Sequence, residues 1–290
     1  MSNENIPSSN HPGLIIFMID QSAFMSVGNV KYDKNFSSLV ANMINFTITE
    51  IIKNATRQKC EDDEYILDLF KVVVLGYGGV NGELINVFCE GYLSDIASTW
   101  KLNNGFYNIL VYNILEPMSG SFTVPMISAL NKVENYINCW KNEGHNTYKD
   151  PIPLIINITS GVITDNNGIA TNQIFNETIE AVEKIRSISF PNGETCICNI
   201  WINHRNEDEV YFPNDIHLVP QNSFSKFIYT ISSNVTENFG SGFRRDKFLD
   251  NITPNSKMLI INPSYSPIEF LLIPIIIRFF ATIGGSEPFL

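Results

Sequence analysis

Apolar residues along this chain fall into two kinds of run. Short continuous stretches recur at Leu14–Ile19 (LIIFMI), Phe70–Leu75 (FKVVVL), Pro153–Thr159 (PLIINIT), Cys196–Asn203 and Lys257–Ile261. Uninterrupted runs of this length, rich in Ile and Val, are the signature of strands buried on both faces of a parallel sheet. A short edge strand is expected near Leu84–Phe88. Between these runs lie longer segments of helical period. Residues 33–56 place Phe36, Leu39, Val40, Met43, Ile44, Phe46, Ile48, Ile51 and Ile52 at roughly helical spacing, with Asp33 positioned to cap the start. Met126, Ile127, Leu130, Val133, Ile137 and Trp140 line one side of a helix over 123–140, and 171–187 form another amphipathic helix. Strands alternating with helices predict an α/β fold with a doubly wound, mostly parallel sheet and helices on both faces. Such sheets bind ligands beyond the carboxyl ends of the strands where strand order reverses, which directs attention to the loops after Ile19 and Thr159.

Three stretches break the pattern. Residues 57–66 (RQKCEDDEYI) are charged and read as an exposed connection. Gly76-Tyr77-Gly78-Gly79 reads as a plain glycine turn, because Asn81 stands where a dinucleotide fingerprint needs its third glycine and no helix follows directly. Phe270–Ile283 (FLLIPIIIRFFATI) is strongly apolar but too short for a membrane span, with Pro274 and Arg278 inside it. The expected organisation is a disordered tail at 1–12, one domain over 13–265, and a C-terminal apolar segment at 266–290 packed on the domain or on a partner.

Composition narrows the function classes. With 19 Lys and Arg against 30 Asp and Glu, the net charge of −11 repels phosphate backbones and anionic membranes, so neither nucleic acid nor membrane is an expected partner. Five cysteines without a CxxC pair, and an N-terminus without a basic, apolar leader, point to a cytoplasmic protein. No GxxxxGK[ST] loop and no GxSxG elbow occur, and His11, His145, His204 and His217 lack metal-site spacing. Cys196 and Cys198 alternate on one strand and read as small apolar groups of a single layer. No catalytic base, nucleophile or phosphate loop is visible, so the chain is not expected to be an enzyme.

What remains is at the two flagged strand ends. Asp20-Gln21-Ser22-Ala23-Phe24-Met25 follows the first strand and Asn157-Ile158-Thr159-Ser160-Gly161 closes another, with Leu75–Gly79 and Gly120–Met126 between them. Together, over roughly residues 13–265, these resemble the von Willebrand factor A domain in its compact bacterial form. The resemblance implies a remnant of that family's metal-ion-dependent adhesion site, where an Asp-x-Ser-x-Ser loop, a Thr and a second Asp hold Mg²⁺ or Mn²⁺. Asp20 and Ser22 match, and Thr123 stands for the Thr. Phe24 replaces the second Ser, and Ser160 replaces the second Asp. Only Asp20 then brings charge to a hard dication, unless Asp165 or Glu116 substitutes, so the site is expected to be degenerate and no cofactor is expected. A purely structural role for Asp20 and Ser22, capping the turn after the strand, is the plain alternative. By resemblance the chain is a protein-interaction scaffold or adaptor in a bacterial stress-response or defence system, with a kinase or phosphatase as partner. The alternatives are a metal-dependent adhesion module using Asp20, Ser22 and Thr123, and a small-molecule or nucleotide enzyme using the same cleft.

Overall fold

The computed structural model describes residues 7–26, 28–29, 34–60, 63–80, 83–104, 122–202, 208–235, 252–263, 272–276 and 279–280. Seven strands form one sheet: β1 (Gly13–Asp20), β2 (Phe70–Val80), β3 (Glu83–Tyr92), β4 (Leu154–Thr159), β5 (Cys196–Trp201), β6 (Val210–Tyr211) and β7 (Leu259–Ile261). Their order is β6-β7-β5-β4-β1-β2-β3. The inner pairs are parallel, and the edge strands β3 and β6 run antiparallel to their neighbours. This is the expected doubly wound, Rossmann-like α/β arrangement.

The apolar runs become strands because both sides of each are covered. Ile15, Phe17 and Ile19 of β1, with Leu154, Ile156 and Ile158 of β4, face α1 (Phe36–Ala55) and the start of α2 (Leu93–Asn104). Leu14, Ile16 and Met18, with Ile155, face α3 (Met126–Asn142), α4 (Asn172–Ser187) and α5 (Ser223–Ile231). Each helix presents the stripe its sequence period implies: Met126, Leu130, Val133, Ile137 and Trp140 are buried on α3. Side-chain caps start α4 and α5, where Thr171 accepts from Ile174 N and Asn222 accepts from Ser225 N. Cys196 and Cys198 both point into the α1-side core, and burial pushes the Cys196 thiol up to about 12 and the Cys198 thiol well above its ordinary value.

Several expectations are corrected. Gly76–Gly79 do not turn: β2 runs through them to Val80 and pairs with a ten-residue β3, twice the length expected for that edge. Residues 57–66 form an antiparallel hairpin, Thr56–Cys60 with Asp63–Ile66, whose charge is tolerated because Arg57 and Glu64 are exposed. Helices α2 and α5 add to the expected set. Pro7 and Pro12 are buried, and His11 Nδ1 lies 2.8 Å from Oδ1 of the buried Asp150, so residues 7–12 belong to the domain. Asp33, the expected cap of α1, and His204 lie outside the described residues.

The C-terminal apolar segment shares the α1-side core. Leu272, Ile275, Ile276, Phe279 and Phe280 are buried there, and the Phe280 ring tilts against Phe70 at 5.0 Å. Phe280→Ala should therefore lower the unfolding free energy by about 3 kcal/mol or more in urea denaturation. A loss below about 1 kcal/mol, the range of surface substitutions, would detach this segment from the core.

Candidate functional site

Strand order reverses between β1 and β4: the chain leaves β1 for β2 and β3, then returns to β4 on the other side of β1. Asp20 is the last residue of β1 and Ser160 follows the last residue of β4, so the two meet at this switch point. Asp20 is 1% exposed, and the two adjoining loops supply its hydrogen-bond donors. Oδ1 accepts from Ser22 N at 2.8 Å. Oδ2 accepts from Ser160 N at 2.9 Å and also from the Ser160 hydroxyl. Burial pushes the Asp20 carboxyl up from its ordinary value of 3.8, and the hydrogen bonds from Ser160 and Ser22 work against that rise.

The loop carrying Ser22 lies directly on β2. Gln21 N donates to Tyr77 O at 2.7 Å, and its Oε1 accepts from Asn86 Nδ2 at 3.2 Å. Glycine is needed beneath it: a Cβ on Gly76 would overlap the Gln21 amide, and one on Gly78 would stand 2.7 Å from the backbone of Gln21 and Ser22. The LGYGG run is thus a platform for the loop. On the β4 side, Gly161 has φ +94°, and a Cβ there would overlap the indole nitrogen of Trp201. That nitrogen donates to Ser160 O at 3.3 Å.

The other candidate residues are placed as follows. Phe24 lies in the short 3-10 turn Ala23–Ser26, and its ring meets Phe122 edge-on at 5.8 Å. Phe122 is 64% exposed. Thr123 stands on the next loop with its hydroxyl 3.5 Å from the position of a Cβ on Gly168. Val124 N donates to Thr164 Oγ1 and Thr164 N returns a bond to Val124 O, so the loop of Thr123 is tied to that of Asp165. Asp165 closes its own turn, with Oδ1 accepting from Asn167 N and Ile169 N. These bonds, led by the one from Ile169, hold its carboxyl below the usual range. Glu116 lies outside the described residues.

A resident divalent ion does not fit this arrangement. Mg²⁺ takes six oxygens, with carboxylates balancing its charge. Here one carboxylate serves, and both its oxygens already accept N–H or O–H donors. Among the described residues no three His, Cys, Asp or Glu side chains converge. Ser160 thus does more than omit a charge: a second carboxylate would repel Asp20, whereas the serine bonds it.

A second feature corresponds to no motif in the sequence. A buried polar ladder crosses the sheet beneath α5: Tyr77 OH donates to Asn157 Oδ1, Asn157 Nδ2 to Asn199 Oδ1, and Asn199 Nδ2 to Ser232 Oγ, at 2.8 to 2.9 Å. Each amide satisfies its neighbour, which is what allows polar groups in an apolar layer. The available signal is the placing of Asn157 and Asn199 inside otherwise apolar strands.

No protein-family model matches the sequence, and no curated protein matches it either. Solved structures are similar to this chain. The pilus adhesin SpaC of Lactobacillus rhamnosus GG superposes over 96% of this chain with a TM-score of 0.54 at 11% identity. This chain spans 32% of the adhesin's length. The N-terminal domain of TFIIH p34 aligns with 67% of this chain and 82% of its own, with a TM-score of 0.39 at 11% identity. The chain is accordingly a Rossmann-like α/β domain whose switch-point carboxylate is closed by serine.

Proposed function

We propose that this domain is a non-enzymatic protein-interaction module of the von Willebrand factor A type, which engages its partner at the carboxyl end of the sheet without a metal ion. The observation that carries the reading is the Phe24–Phe122 pair, one ring of it largely exposed, beside a carboxylate already satisfied by the protein's own donors. Exposed aromatic rings anchor protein interfaces, and a carboxylate that already holds three donors has little left to offer a cation. Kinases and phosphatases of bacterial stress-response or defence systems are the first partners to try, on the resemblance noted in the sequence. No helix among the described residues is long and apolar enough to cross a membrane.

The test is co-purification of the tagged chain with such a candidate in EDTA and in Mg²⁺, using wild type and Phe122→Asp. Capture that persists in EDTA and is lost in Phe122→Asp is the expected result; capture abolished by EDTA overturns the metal-free reading. One observation favours the metal-dependent alternative: the Ser22 hydroxyl is buried and makes no well-formed hydrogen bond among the described residues. A ligand at a hundred times its dissociation constant stabilises a fold by about 2.7 kcal/mol, so thermal unfolding in millimolar Mg²⁺ or Mn²⁺ separates the two. No shift is expected for wild type. Phe24→Ser combined with Ser160→Asp should gain one, after starting from a less stable apo state in which two buried carboxylates face each other.

A further inference from the structure

At the end of the sheet opposite Asp20, where the chain enters β5 and β7, lies a cavity of about 380 Å³. Thr195 at the entrance to β5, Arg186 in the last turn of α4, and Lys257 just before β7 converge on it, with Glu183 and Glu194 also on its wall. The two cations are not equivalent. Arg186 donates to Glu183 Oε1 at 2.7 Å and to Ile231 O at 2.8 Å, so its charge is offset and it caps the end of α5. Lys257 Nζ makes no ion pair or hydrogen bond with the described residues and sits 5.5 Å from the Tyr229 ring centroid. Burial, then the nearby Arg186, pushes its pKa down, while Glu183 acts in the opposite direction. Thr195 is 1% exposed, and its hydroxyl has no partner among the described residues.

A half-buried ammonium that makes no ion pair with the described residues, and a hydroxyl without a partner among them, are both costly as they stand, and one oxyanion relieves both. The volume of the cavity is at the low end of small-molecule sites. We propose that this cavity binds a small molecule bearing one phosphate or carboxylate group, with Lys257 supplying the charge and Thr195 a donor. Glu183 and Glu194 on the wall disfavour polyanions. The proposal involves neither the Asp20 site nor the aromatic pair, so it stands or falls independently of the interaction reading.

The test is calorimetric titration of the full chain at matched ionic strength with inorganic phosphate, ribose 5-phosphate, lactate and fructose 1,6-bisphosphate. Saturable binding of a monophosphate probe or of lactate is expected, and which of them binds identifies the head group. Lys257→Gln should weaken binding at least about tenfold. Fructose 1,6-bisphosphate binding more tightly than ribose 5-phosphate overturns the single-anion assignment. Absence of saturable binding by phosphate, ribose 5-phosphate and lactate overturns the site itself, as does unchanged affinity in Lys257→Gln. Should that variant fail to fold by circular dichroism, Thr195→Val carries the test, since it removes only a hydroxyl without a partner. Weakened binding with an intact fold is then expected, and undiminished affinity overturns the assignment.

Discussion

Gly161→Ala should lower the unfolding free energy by about 3 kcal/mol, from two sources that can be separated. The backbone at φ +94° lies where an alanine is strained, and the new methyl would overlap the indole nitrogen of Trp201. Trp201 cannot yield easily: it is buried, packs on Phe224 at 5.0 Å, and donates to Ser160 O. Gly144 is the internal control, with φ +104° and nothing within 4 Å of the place a methyl would occupy. Gly144→Ala should therefore show conformational strain alone, about 1 kcal/mol. Urea denaturation of both variants measures the difference. Equal losses would mean that Trp201 does not constrain the Ser160 turn.

Asp20→Ala should be comparably damaging, at about 3–5 kcal/mol, because it strands Ser22 N, Ser160 N and the Ser160 hydroxyl in a buried site. Relief of the buried carboxylate's desolvation partly offsets that loss, and the offset depends on pH. The folded-state pKa of Asp20 is raised above its ordinary 3.8, so the folded chain holds this proton more tightly than the unfolded one. Its contribution is complete below 3.8 and is lost as pH rises through the raised folded value. The stability gap between wild type and Asp20→Ala should consequently narrow as pH rises above about 4, where an unfolded aspartate titrates. Asp150 works in the opposite sense: burial raises its pKa, but bonds from Thr147 and His11 outweigh this, so its contribution is lost as pH falls below 3.8. Because Asp150 is common to both chains, it cancels in the comparison. Urea denaturation from about pH 4 to pH 8 measures the gap, and one that stays constant or widens would contradict the raised pKa.

The serine at position 160 supplies two donors to the carboxylate of Asp20. An unpaired Asp20 at the same depth would be a liability to the fold, and the serine removes it. Beside it, Phe24 meets exposed Phe122.

Local chemistry by itself determined the core of the sheet and the strand ends at Asp20 and Thr159. LIIFMI, FKVVVL and PLIINIT became strands because runs of Ile and Val without polar interruption have no solvated face to offer, and burial on both sides is their one stable setting. Helices α3 and α4 followed from spacing for a similar reason. Helix α5 carries comparable signals in its cap Asn222 and the stripe Phe224, Phe227, Ile228 and Ile231, but its nine residues give the period little room to show. Asp20 and Ser160 could be marked as strand-end residues, but not as partners, because 140 positions separate them and only parallel pairing of β1 with β4 brings them together. The same holds for the glycines. Gly76 and Gly78 look like a turn in isolation, yet they lie in extended strand because the Asp20–Ser22 loop rests on them. Backbone contacts between distant segments leave no period in the sequence, so tertiary structure alone decided which glycines are spacers, which carboxylate is satisfied, and where Lys257 and Thr195 meet around a cavity.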